Sequence, residues 1–232
     1  MSLDPASYVA LWSLFDQGGP RPEYVLPVLW AESSFDPTVI NSIGCAGVNQ
    51  ACQGLLNQLG VSAATYASWP ASQQIRLGLT PYMLAYSPLR SGTRVYQANY
   101  LPVTLATARS LSSVLARAGT SYYSSNAGFD TDRKGFITVQ DLANSVARAA
   151  AQPAVQRAIA AAYALRPNES PQDPVYGQDY SPNARQYVIA ASIALLGGAV
   201  AYSIHEGTFD LIWEDVDRIF HGWSRSLEHW LT

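Results

Sequence analysis

Acid–base chemistry in the first half of this 232-residue chain has few places to reside. Asp36 is followed by no Asp or Glu until Asp130, and the stretch between them carries Arg76, Arg90, Arg94, Arg109 and Arg117 as its charges. The carboxylates ahead of that gap are Asp4, Asp16, Glu23, Glu32 and Asp36. Glu32 stands four positions after Val28, so in a helix it shares a face with the apolar pair Val28 and Leu29. A carboxyl against an apolar face loses hydration, which favours its neutral form and raises its pKa. A group shifted in this way can donate a proton near neutral pH. A glutamate near a helix end that simply faces solvent would occupy the same position, so the residues that follow Glu32 carry the argument further.

The elements that must position Glu32 read as helices with short breaks. Pro5 to Gln17 forms an amphipathic pattern ended by Gly18-Gly19-Pro20. A second helix starts near Pro22, where a proline in the first turn costs little, and runs to about Ser34. Residues 37–54 are rich in Gly, Asn and Ser and read as a loop. Helical spacing predicts further helices at about 71–86, 98–118 and 138–165, and strand signals are weak. Four prolines between Pro167 and Pro182 give linker composition, which places a domain boundary there.

Composition removes other chemistries. Apolar residues make up 48% of the chain, too many for disorder. Charged residues are only 13%, against roughly 25% in an ordinary soluble domain, which predicts a surface covered by a partner, a membrane or itself. A net charge of −3 gives no reason to expect nucleic acid as a ligand. The three histidines are His205, His221 and His229, so no Ser-His-Asp triad, Cys-His pair or histidine zinc site can be built within the first 200 residues. Neither phosphate-loop nor dinucleotide glycine motifs occur. Cys45 and Cys52 lie seven apart and allow either a disulfide or two buried thiols. The N-terminus lacks a basic region followed by an apolar run, so no export signal is expected.

The run Glu32-Ser33-Ser34-Phe35-Asp36-Pro37 resembles the E-S-x-F-x-P motif of the lytic transglycosylases, lysozyme-like enzymes that cut peptidoglycan glycan strands. That family follows it about fifteen residues later with G-L-x-Q, and here Gly47-Val48-Asn49-Gln50 begins at that distance, with Val in place of Leu. Gly54 to Gln58 is a second candidate with one residue too many. Downstream, Trp69-Pro70 to Ile75 with Tyr82-Met83, Val95 to Pro102, and Asn126 to Leu142 resemble segments of phage-type members in the same order. The resemblance covers about residues 5–150.

It implies a mainly α, lysozyme-like catalytic domain over 1–150, to which composition and periodicity add a helix end and Pro-rich linker over 151–182 and a C-terminal helical hairpin with one membrane-like apolar helix over 183–232. It also implies a mechanism with one carboxyl. Glu32 acts as acid and then base, while the substrate's own N-acetyl group stands in for a nucleophile, and the product carries a 1,6-anhydro end. Ser33 or Ser34 would bond the Glu or the acetamido group, Gln50 would contact sugar, and Tyr96 or Tyr100 would position the carboxyl or stack on a ring. No cofactor or metal is called for. Together with the missing export signal, the resemblance points to a phage virion component that acts on the host envelope and locally opens the wall as the genome is delivered. A structural virion or conduit protein that keeps the fold with little or no activity is the alternative.

Two further features call for partners or ligands. Asp130, Asp132, Gly135 and Thr138 overlap a calcium-loop template, but Lys134 puts a cation at a ligand position and Asp141 replaces the bidentate Glu, so a Gly turn leading into a helix capped near Thr138 is the better expectation. In the tail, the uncharged Tyr187–Ile204 approaches the length needed to cross a bilayer, and residues 211–230 follow an amphipathic helical pattern. The tail is expected to contact other virion proteins, copies of itself or a membrane, with burial in a protein assembly slightly favoured, and to anchor the enzyme without taking part in bond cleavage.

Overall fold

The computed structural model describes residues 2–177. The chain divides into two units, Met1–Ser181 and Pro182–Thr232, and everything described below belongs to the first. The expected C-terminal hairpin, including the apolar stretch 187–204, lies outside the described residues. Among the described residues no helix is long and apolar enough to cross a membrane.

The fold is mainly helical and is organised around one central helix. α1 (Pro5–Asp16) begins at Asp4, whose carboxylate caps the Ser7 amide at 2.9 Å. α2 (Pro22–Ser33) carries Pro22 in its first turn, where the missing N–H would have had no partner anyway. Every residue from Pro22 to Leu29 is buried, so this helix is enclosed on all sides rather than along one stripe. α1, α7 (Gly92–Tyr100), α9 (Val139–Ala150) and α10 (Pro153–Ala164) pack around it. Burying α2 also buries Glu23, which Arg21 pairs at 2.8 Å and the Tyr163 hydroxyl meets at 2.6 Å. The Trp12 indole donates to the Ala162 carbonyl at 2.7 Å and fixes α10 against α1.

Small helices line the other side: α3 (Gln53–Leu59), α4 (Ala63–Ala67), α5 (Ala71–Gln74) and α6 (Thr80–Tyr86). Between α5 and α6 the chain widens into a π turn over Ile75–Leu79, so the helix expected at 71–86 is present with a bulge inside it.

Two helix expectations are corrected. The helix predicted over 98–118 stops at Tyr100, because Leu101 leaves helical backbone ahead of Pro102. Arg94 donates to the Leu105 and Ala108 carbonyls, so side chains serve backbone groups that a helix would otherwise have satisfied. The chain then forms β1 (Val114–Arg117), paired antiparallel with β2 (Phe136–Thr138) through a register irregularity between Val114 and Ala116. The short helix α8 (Ser121–Ser124) lies within this excursion.

The helix predicted over 138–165 is two helices, since Gln152 is extended before Pro153, which lacks an N–H and opens α10 instead. Residues 151–177, expected to be the end of a helix and a linker, belong to the same unit as the helices before them. The Val175 carbonyl accepts from both the Thr93 amide and hydroxyl, and the Gly92 amide donates to Pro174. Proline-rich composition here reflects an extended strap held by side-chain and backbone bonds.

Candidate active site

Glu32 lies in the last turn of α2, and the backbone bends sharply just after it. Ser34 and Phe35 both adopt positive φ, 55° and 66°. For residues with a Cβ this conformation is costly, and it persists only where the surroundings impose it. The surroundings here are identifiable. The Phe35 ring is buried and meets Trp30 edge-on at 5.1 Å, while the Ser34 amide donates to the Trp30 carbonyl at 2.8 Å.

Glu32 is partly exposed as a residue, but protein surrounds its carboxyl closely enough that lost hydration pushes its pKa up to about 7. Tyr96 and Asn99, three residues apart on α7, direct their polar groups at the carboxyl and oppose that shift in part. Tyr96 is itself buried, and burial followed by the nearby Glu32 charge raises its own pKa. Ser145 of α9 reaches the Tyr96 hydroxyl, and this bond and the Arg148 charge both oppose that rise in part. α7 thus addresses the carboxyl that α2 carries, and α9 acts on it through Tyr96.

The other nearby carboxylate behaves oppositely. Asp36 accepts from the Thr38 hydroxyl at 2.6 Å and the Thr38 amide at 2.8 Å. These bonds hold its pKa below the usual value, so it stays ionised and is committed to its own turn.

The motif loop 47–50 lies beside this helix end. The Ser33 hydroxyl is buried and lies 3.0 Å from the Val48 carbonyl and 3.1 Å from the Leu29 carbonyl. Ser33 thus faces inward and fastens the loop, whereas Ser34 is exposed. Gln74 is fully buried; its Oε1 accepts from the Val48 amide at 2.8 Å, and its Nε2 serves the Pro37, Tyr66 and Trp69 carbonyls. The Tyr66 hydroxyl donates to Asn49 Oδ1 at 2.8 Å. Gly47, at φ 78°, passes so near Gln74 that a Cβ would come within 2.3 Å of its Oε1. Cys45 and Cys52 form a disulfide that closes this loop, which settles the choice between a bridge and free thiols. Gln50, at φ 48°, folds its amide back to the Gly47 carbonyl at 3.0 Å.

Tyr100 is half-buried, its hydroxyl donating to the Tyr122 carbonyl at 3.1 Å. The Phe129 ring lies 5.3 Å from that of Tyr96 and 5.5 Å from that of Tyr100, tying both to the excursion around β1 and β2. At its base, the Lys134 ammonium lies 2.8 Å from Asp132, 2.8 Å from Asp141 and 3.5 Å from Asp130. Asp141 and Thr138 complete a capping box on α9, the Gly turn and capped helix that the sequence favoured. Among the described residues no group of three or more His, Cys, Asp or Glu is placed to hold a metal.

The structure brings Glu32, Ser33 and Tyr96 together around the end of α2 and places Gln50 on the loop that Ser33 fastens. Sequence reasoning gave no site role to Asn99, Ser145, Gln74 or Phe129. Asn99 had a usable signal, its three-residue spacing from Tyr96; Ser145 had none, since only the packing of α9 on α7 brings it there. Compared with known protein families, curated proteins and solved structures, the chain matches none of them.

Proposed function

We propose that this protein is a lysozyme-like lytic transglycosylase that cuts the glycosidic bond between N-acetylmuramic acid and N-acetylglucosamine in peptidoglycan. The observation that carries the reading is a single carboxyl with a pKa raised to about 7, at the end of a buried helix and addressed by Tyr96 and Asn99, while the neighbouring Asp36 is bound to its own turn. Such an arrangement suits a mechanism with one protein carboxyl, in contrast to the paired carboxylates of most glycosidases.

Glu32 first holds its proton and gives it to the glycosidic oxygen as the bond to C1 breaks. The acetamido oxygen of the same sugar closes on C1 and carries the developing charge. The Glu32 carboxylate then takes the proton of the 6-hydroxyl, whose oxygen attacks C1 and expels the acetamido oxygen. The carboxyl ends protonated as it began, and no water is consumed. Tyr96 and Asn99 assist the second half, because both favour the ionised form. Gln50, and Tyr100 beside Phe129, are proposed to meet the sugars. Placement in a phage particle, acting on the host envelope through a tail that binds particle proteins, further copies or membrane, belongs to the same proposal and rests on the motif resemblance.

Digestion of purified sacculi tests the reading. The intact chain should release glycan fragments with anhydro ends by mass spectrometry, and Glu32→Gln should not. Reducing ends would replace transglycosylation by hydrolysis. Absence of cleavage by a folded chain would favour the structural-virion alternative.

A further inference from the structure

The Cys45–Cys52 disulfide stands in an unusual relation to the site. It brackets Gly47-Val48-Asn49-Gln50, and that loop is fastened to the catalytic helix through the Ser33–Val48 bond. Its inner and outer parts are held differently. Val48 and Asn49 are buried and gripped by Gln74 and Tyr66. Gln50 lies at the loop's outer end in a left-handed conformation unfavourable for a residue with a Cβ. Besides its own bonds to the Gly47 carbonyl, from the backbone amide at 3.1 Å and the side chain at 3.0 Å, Gln50 is flanked by the paired backbone bonds between Ala46 and Ala51, at 3.0 and 2.7 Å, and by the disulfide just outside them. Cys52 is exposed whereas Cys45 is buried, so an incoming thiolate can reach the bridge from the Cys52 side.

We propose that the Cys45–Cys52 disulfide is a redox gate on this site, holding Gln50 in its left-handed conformation at the loop's outer end when formed and releasing it when reduced. In the reducing step a dithiol supplies two electrons and two protons. The S–S bond breaks through a mixed disulfide at Cys52, two cysteine thiols form, and the dithiol becomes a disulfide. Without the cross-link the inner part of the loop stays gripped by Gln74 and Tyr66, the outer end is left with the Ala46–Ala51 pair and Gln50's own bonds to Gly47, and Gln50 relaxes toward ordinary backbone angles. Glu32, Tyr96 and Asn99 lie on α2 and α7 and are unaffected, so the loss falls on substrate binding. Cleavage is then favoured where disulfides persist, as in a cell envelope, and suppressed in a reducing cytosol.

The activity readout rests on the transglycosylase reading, so a second readout is independent of it. The full chain is examined oxidised, treated with dithiothreitol, and as Cys45→Ser/Cys52→Ser, by amide hydrogen exchange over residues 46–51 and by cleavage of sacculi. The expected result is exchange at Gln50 and Ala51 at least tenfold faster after reduction, a KM several-fold higher with kcat little changed, and recovery on reoxidation. The double variant should match the reduced protein and ignore dithiothreitol. Unchanged loop exchange overturns the gate whatever the activity does, as does thiol titration that finds two free cysteines in the oxidised protein. A loop that loosens reversibly in a protein that cleaves nothing upholds the disulfide's hold on Gln50 and removes the transglycosylase reading instead.

Discussion

The hydroxyl of Ser33 lies 3.0 Å from the carbonyl oxygen of Val48, a bond across fifteen residues that joins the end of the glutamate-bearing helix to the loop beside it. Both partners are buried, so no solvent replaces the bond if it is lost.

Ser33→Ala therefore leaves the Val48 carbonyl without this partner. A cost of about 1–3 kcal/mol is expected, seen as a lower Tm, with a several-fold loss of glycan cleavage because the loop is no longer registered on α2. A Tm within a degree of the parent would mean that the other loop anchors suffice.

Glu32→Gln should lose at least the roughly 10²–10⁴-fold contribution of a general acid. Its stability should move the other way, and the sign follows from the raised pKa. Below about 4.5 the carboxyl is protonated in both folded and unfolded chains, so the substitution changes little. Between 4.5 and about 7 the unfolded chain ionises first, and the folded state loses stability relative to it as pH rises. Above 7 the deficit is complete and amounts to at most about 3 kcal/mol. The variant should melt higher than the parent at pH 8 and equally at pH 4; equal melting at both would place the Glu32 pKa near its ordinary value.

The same pKa sets the alkaline limb of activity. Cleavage by the parent chain should fall as pH rises through about 7, where the proton donor is lost. Asn99→Ala removes a group that favours the ionised form, so that limb should move to higher pH. An unmoved limb would assign it to another group.

Gln74→Ala should be more damaging to the fold than any change at the exposed Ser34. It strips partners from the buried Val48 amide and from the Pro37, Tyr66 and Trp69 carbonyls together. A loss of several kcal/mol is expected, on the order of 1–3 for each buried group left unsatisfied. Chemical denaturation measures it, and a loss under 1 kcal/mol would show that the loop does not depend on this side chain.

Lys134 supplies the positive charge among Asp130, Asp132 and Asp141, so calcium should not raise the Tm of the parent chain. Burial works to raise the Asp130 pKa, but bonds from Tyr123, Gly135 and Lys134 prevail and hold it well below the usual range. Lys134→Met should lower the Tm measurably by leaving three carboxylates facing one another. A calcium-dependent rise in the parent Tm would refute this account.

The sequence by itself singled out Glu32 as a candidate, because the gap between Asp36 and Asp130 leaves few carboxylates in the first half, the apolar pattern of α2 is local, and the residues after Glu32 carry the motif. It located α1 and α2 through their apolar patterns, Pro22 and the Gly18-Gly19 break, and the start of α9 through Thr138, since such signals act within a few residues. It misjudged residues 98–118, where alanines and leucines kept a helical look while Pro102 and a distant strand partner at 136–138 decided otherwise. Tertiary structure alone decided that Ser33 turns inward, that Cys45 and Cys52 are joined, and that 151–177 belongs to the same unit as the helices before it. It also brought Asn99, Ser145 and Phe129 to the carboxyl and its tyrosines. A pKa near 7 is of the same kind, because desolvation is set by everything packed around the group, and α7 and α9 are far from Glu32 along the chain. Periodicity reports which face of a helix is buried; what that face is buried against is fixed only when the helices meet.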